Sequence, residues 1–239
     1  MLFVGNSLTY VANTPAVYST LATANGHPTR SDMIVRGGAT LAERVADGSV
    51  ERALSQGGYT TLVIQERGGD LTCSFGPDAC AQSRTAIAAL AAMAREQGAN
   101  VVLLGTYQSH PAASLAIVEE ERVAADDAGI AYAEISGKLQ ALRAAEPELA
   151  WFAQDDMHPG KDLALLNAMV LYEALHGAMT YVGRLCVSAP IYGTVSGLDQ
   201  TLRRAESPPP LAATPREACY RIETMGKIQR AVRSAGTGS

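Results

Sequence analysis

Two short stretches hold residues that could do covalent chemistry. Asp155-Asp156-Met157-His158-Pro159 delivers a carboxylate and an imidazole, three residues apart, on one polar loop, and Gly5-Asn6-Ser7-Leu8-Thr9 places a serine directly after an apolar run. A serine hydroxyl attacks only when a neutral imidazole takes its proton. A carboxylate on the other ring nitrogen then fixes the tautomer and stabilises the imidazolium. Ser7 is therefore the candidate nucleophile, His158 the general base and Asp155 its orienter. Each stretch alone also fits a plainer role. A Ser/Thr-rich loop after a strand forms turns, helix caps or phosphate cradles, and an Asp/Asp/His loop caps the helix that follows it. Only the two together describe a reaction.

Taken together, these residues resemble the SGNH/GDSL hydrolase family, whose first block reads Gly-Asp-Ser-Leu near the N-terminus and whose last reads Asp-x-x-His before a C-terminal helix. Gly5-Asn6-Ser7-Leu8 and Asp155 to His158 look like these blocks in the same order, and the resemblance spans about residues 1 to 177. It implies a serine hydrolase that cleaves a small carboxylic ester, acetyl or short-chain acyl and including one on a carbohydrate, through an acyl-enzyme. It also implies an oxyanion hole made by the Ser7 amide, a glycine amide after the second strand and a side-chain amide after the third. Gly38 in Arg36-Gly37-Gly38-Ala39-Thr40 matches the glycine, which equally suits a tight turn of positive φ.

The third block departs from the family pattern. Where the family has Gly-x-Asn-Asp, this chain reads Ile64-Gln65-Glu66-Arg67-Gly68-Gly69-Asp70. Gln65 is the expected substitute donor, and an ion pair between Glu66 and Arg67 that shapes the cleft is the other reading of this segment. Asn6 replaces the family's aspartate, which removes a charge beside Ser7 without touching proton transfer. These two departures motivate an alternative, a catalytically inactive ligand-binding protein with the same fold. A nucleotide or phosphate binder using the loop from Gly5 to Thr9 is a further alternative, and it leaves Asp155 and His158 unexplained. The other histidines, His27, His110 and His176, lack a carboxylate at a telling spacing; of these, His110 is placed to line the pocket.

The elements that must position these residues read as strands alternating with crossover helices. Strands are expected at Leu2 to Gly5, Ser31 to Val35, Thr61 to Gln65, Val101 to Thr106 and Ile130 to Ile135. Helices are expected at Pro15 to Ala24, Leu41 to Gln56, Ala81 to Gln97, Ser114 to Ala128, Lys138 to Ala145 and Asp162 to His176. This is an α/β chain, and the resemblance makes it a three-layer α/β/α domain with a five-stranded parallel sheet, doubly wound as in flavodoxin. In such a sheet ligands bind beyond the carboxyl ends of the strands, where Ser7 stands. Residues 1–182 form the hydrolase-like domain and 183–239 an extension that packs on it. In that extension Ser207-Pro208-Pro209-Pro210 breaks regular structure, Arg216 to Val232 reads as helical, and Gly236 to Ser239 reads as a disordered end.

Composition narrows the function classes. The 239 residues are 47% hydrophobic and 18% charged, enough for one substantial core. A net charge of -5 and a pI near 5.4 leave no basic surplus for a phosphate backbone, so nucleic acid is not an expected partner; a small-molecule ester is. No run reaches the roughly 18 apolar residues of a membrane span. No signal peptide is expected from the opening Met1-Leu2-Phe3-Val4, and secretion or periplasmic export is the expectation only if the start is trimmed. Cys73 and Cys80 share one loop and Cys186 and Cys219 lie in the tail, a grouping that fits two disulfides and four free thiols alike. No Cys-x-x-Cys or Cys/His cluster suggests zinc, and no cofactor is expected.

Overall fold

The computed structural model describes residues 1–181, 183–207 and 217–234. Its framework is set by strands that are apolar on both faces, the pattern of a parallel sheet covered on each side by helices. In β1 (Leu2–Gly5), Leu2 and Val4 face one core while Phe3 faces the other. The same division repeats in β2 (Asp32–Arg36), β3 (Thr61–Ile64) and β4 (Asn100–Leu104): Ile34, Leu62, Ile64, Val101 and Leu103 join the first core, and Met33, Val35, Val63, Val102 and Leu104 the second. A short β5 (Ala131–Ala133) completes the parallel set.

The first core is closed by α3 (Leu41–Ala46), α4 (Ser49–Ser55), α5 (Pro77–Glu96) and α6 (Pro111–Ala128). The second lies under α2 (Thr14–Ala24), α7 (Ser136–Ala145) and α8 (Lys161–His176). The three-layer α/β/α architecture expected from the sequence is thus present. One crossover differs: the stretch from Leu41 to Gln56 is two helices, because Gly48 takes φ +65 and Asp47 caps Ser49 N at 2.8 Å.

Among the described residues the sheet has six strands rather than the expected five, in the order β5-β4-β3-β1-β2-β7. The added edge strand, β7 (Asp199–Arg204), comes from the C-terminal extension and runs antiparallel to β2 with an irregular register between Met33 and Val35. The extension also forms a two-stranded sheet from β6 (Leu185–Ser188) and β8 (Glu217–Tyr220), in which Cys186 faces Cys219. These cysteines form one disulfide, and Cys73 with Cys80 another. The reading of Arg216 to Val232 as a single helix is corrected here: Arg216 lies outside the described residues, Glu217–Tyr220 is drawn into strand pairing, and within the described part of this stretch only α9 (Ile222–Ser234) is helical. The buried Asn13 amide ties the extension to the body by donating to Pro190 O and Ala205 O at 2.7 and 2.9 Å. The proline run at 208–210 and the end at 236–239 lie outside the described residues.

The chain leaves β1 for β2 on one side and returns for β3 on the other. The switch point of the doubly wound sheet therefore falls between β1 and β3, and the loops after these two strands flank it.

Candidate active site

Ser7 follows the end of β1 and opens the one-turn helix α1 (Ser7–Tyr10). The turn is held by Asn6, buried and extended in backbone, whose Oδ1 accepts the Leu8 amide at 3.0 Å. Asparagine performs this capping as well as an aspartate would, and adds a long Nδ2 contact of 3.5 Å to Gln65 O. The serine is half-buried, and its amide has no acceptor among the described residues.

His158 and Asp155 meet on a loop closed like a small hairpin. Phe152 bridges Pro159, Ala153 N donates to His158 O at 2.9 Å, and Gly160 N donates to Trp151 O at 2.9 Å. Asp162, at the start of α8, accepts the Ala150 amide at 2.7 Å and locks the loop to the helix. Within the loop Asp155 Oδ1 accepts the amides of Met157 and His158 at 3.1 and 3.0 Å, while Oδ2 lies 2.6 Å from His158 Nδ1. Partial burial pushes the Asp155 carboxyl upward, but the His158 amide, the imidazole and the Met157 amide outweigh it and hold the group down at about 2. An ionised carboxylate on Nδ1 assigns the proton there, which leaves Nε2 as the acceptor.

The loop packs at the carboxyl edge of the sheet. Phe152 lies 6.0 Å, ring to ring, from Tyr107, which follows the end of β4. Ser7 stands at the same edge, two strands across. No hydrogen bond joins Ser7 Oγ to His158 in this structure, and such bonds commonly tighten only when substrate is bound.

Gly38 lies just past β2 with φ +70, exposed, and with open space where a side chain would stand. The neighbouring Gly37 amide is spent on Leu198 O at 3.1 Å, whereas the Gly38 amide has no acceptor among the described residues. The Ser7 and Gly38 amides are thus the two unspent donors of these loops.

Gln65 is placed differently from the sequence expectation. Its side chain is buried, with Nε2 donating to Gly105 O at 3.1 Å and Oε1 accepting from Thr9 Oγ1 at 2.8 Å. It works as a strut between the ends of β1, β3 and β4. The expected Glu66–Arg67 ion pair is also replaced. Arg67 pairs with buried Asp70, its Nε donating to Oδ2 at 3.0 Å and Nη2 to Oδ1 at 2.6 Å. Glu66 instead joins two loops, accepting the amides of Leu41 (3.2 Å) and Arg67 (3.1 Å) and the Ser83 hydroxyl (2.6 Å). Burial pushes the Glu66 carboxyl up to about 7, with the Ser83 hydroxyl drawing it back. The sequence signal for the true pair was the three-residue spacing of Arg67 and Asp70, since side chains adjacent in an extended segment point to opposite sides.

His110 precedes α6 and is exposed, while His27 and His176 stack on each other at 4.1 Å beside Tyr172. Among the described residues no group of three or more His, Cys, Asp or Glu could hold a metal ion, and no helix is long and apolar enough to cross a membrane.

The doubly wound sheet between two helical layers defines the class of fold, a three-layer α/β/α domain, with a serine after its first strand and a carboxylate-held histidine ahead of α8. No family profile and no curated protein matches the sequence. Among solved structures, the chain is similar to an SGNH hydrolase from Slackia heliotrinireducens at 27% identity, over 73% of this chain and 97% of that one, with a TM-score of 0.61. It is similar to an acetyl xylan esterase from Geobacillus stearothermophilus at 13% identity, over 75% and 95%, with a TM-score of 0.56. A DUF4886 family protein from Bacteroides uniformis shares the fold over 98% of this chain and 93% of its own at 14% identity, TM-score 0.65, so the C-terminal extension is part of the shared architecture. The fold is that of the SGNH/GDSL hydrolases.

Proposed function

We propose that this protein is a serine esterase acting on small acyl esters, with Ser7, His158 and Asp155 as its catalytic triad. The observation that carries the reading is the Asp155–His158 pair, which leaves Nε2 of a neutral imidazole as a proton acceptor at the sheet edge where Ser7 stands. In the first half-reaction the Ser7 oxygen bonds to the ester carbonyl carbon, the carbonyl π pair moves to oxygen, and the hydroxyl proton passes to His158 Nε2. The oxyanion is met by the Ser7 and Gly38 amides. As it collapses, the bond to the alcohol oxygen breaks and His158 returns the proton to that leaving group. Water then repeats the cycle on the acyl-enzyme and releases the carboxylic acid. The similarity to an acetyl xylan esterase supports beginning with acetyl esters, including acetylated carbohydrates.

The test is hydrolysis of p-nitrophenyl acetate and longer acyl esters by the wild-type protein and by Ser7→Ala, with circular dichroism as the folding control. The expected outcome is a fall in kcat of about 10⁵ to 10⁶ in Ser7→Ala. Equal hydrolysis by the two folded proteins would remove Ser7 as nucleophile.

A further inference from the structure

We infer that Arg67 is a catalytic residue that donates a side-chain N–H to the oxyanion, in the role left open by the absence of an asparagine after β3; this rests on the serine-esterase reading above. The argument begins with elimination along the loop. Gln65 and Glu66 are both buried and fully engaged with protein groups, the first with Gly105 O and Thr9, the second with Leu41, Arg67 and Ser83. Arg67 is the first residue after β3 whose side-chain donors reach solvent, at 30% exposure.

Its guanidinium is held as a catalytic donor must be. Asp70, only 1% exposed, grips Nε and Nη2 in a two-point fork that fixes the plane, and the Phe75 ring covers one face at 4.4 Å. Nη1 has no acceptor among the described residues. A donor locked by its own supporting shell costs no reorganisation when charge develops, which is the condition for oxyanion stabilisation.

The direction is also given. Glu66 binds the amides of Leu41 and Arg67 with one carboxylate, so the loop carrying Gly38 and the loop carrying Arg67 are strapped side by side. On the Gly38 side of this strap, Glu43 accepts the Thr40 amide at 2.8 Å, two residues beyond Gly38, and so holds that loop at the start of α3. The two loops follow β2 and β3, the strands on either side of β1, whose end carries Ser7.

Removing Arg67 alone would strand the buried Asp70 charge, so the test is made in the Asp70→Asn background, where Arg67→Gln keeps a side-chain N–H donor and Arg67→Met does not. The readout is the rate at which a fluorophosphonate probe labels the protein, followed by intact mass, because the probe forms a tetrahedral adduct at an activated serine whatever ester the enzyme prefers. The expected result is labelling of wild type, none in Ser7→Ala, and a rate about 10² to 10³ lower for Met than for Gln at position 67. Where p-nitrophenyl acetate is turned over, the same split is expected in kcat and not in KM. Equal rates for the Gln and Met variants, with Ser7→Ala unlabelled, would overturn the role of Arg67 and leave the serine mechanism standing. Failure to label the wild type, or labelling of Ser7→Ala at the wild-type rate, would overturn both.

Discussion

The Asp155 carboxylate accepts two amides and the imidazole at once, and with its titration held at about 2 it stays ionised across the whole range in which an imidazole exchanges its proton. Acidification should therefore leave the orienting carboxylate charged through the ordinary carboxylate range: in a pH profile of kcat/KM, no acid limb from Asp155 appears above about pH 3. Asp155→Asn keeps the shape of the side chain and the acceptor for the two amides, but it permits the wrong imidazole tautomer. Its kcat is expected to fall by about 10⁴ in the p-nitrophenyl acetate assay with the fold unchanged. Loss of less than tenfold would mean that Asp155 caps a loop and does nothing more.

At the scale of the element, the loop carrying Asp155 and His158 is a strained hairpin whose ends must nearly touch. Asp156 sits at φ +54, and Gly160 passes so close to the carbonyl of Ala150 that a β-carbon there would collide with backbone. Gly160→Ala is expected to push the 150–160 loop away from α8 at a cost of about 1–3 kcal/mol, read as a lower urea midpoint. Activity should fall further than stability explains at temperatures where the variant is folded, because the same loop aims His158. The loop after β3 shows the complementary device: there the Cys73–Cys80 disulfide and the Glu66 strap restrain a segment too rich in glycine to restrain itself.

For the whole molecule, buried carboxylates tie stability to pH. Glu121 on α6 is buried against the end of β4, accepting the Thr106 amide at 2.7 Å, its hydroxyl at 2.5 Å and the Tyr132 hydroxyl at 2.7 Å. Burial pushes it up to about 7, the Thr106 hydroxyl and Tyr132 drawing it back. A raised carboxyl contributes stability that is complete below the unfolded value near 4.5 and is lost as pH rises through 7. The stability of wild type minus that of Glu121→Gln should accordingly fall by about 3 kcal/mol between pH 4.5 and pH 8 and then level off, measured by urea unfolding at each pH. A flat difference would mean that Glu121 is ionised throughout.

Periodicity in the sequence marked out an α/β chain, and the resemblance carried by its blocks implied the three layers and the catalytic candidates. Apolar, β-branched runs of four to six residues bounded by glycine or polar loops fit covered strands, and Ser7, Gly38 and the Asp155–His158 loop lie at strand ends or just ahead of a helix, where local pattern is sufficient to place them. The edge strand β7, the break at Gly48 and the strand that replaces a helix before Tyr220 were not legible, because each depends on a partner distant in sequence or on one backbone angle. The same holds for the oxyanion side of the site. Gln65 has the right chemistry and the right position after β3, yet Thr9 and Gly105, 56 and 40 residues away, claim its amide. Arg67 has its plane fixed by Asp70 and Phe75 only once the loop closes. Which donors remain unspent is a property of the finished hydrogen-bond network, and tertiary structure alone decides that.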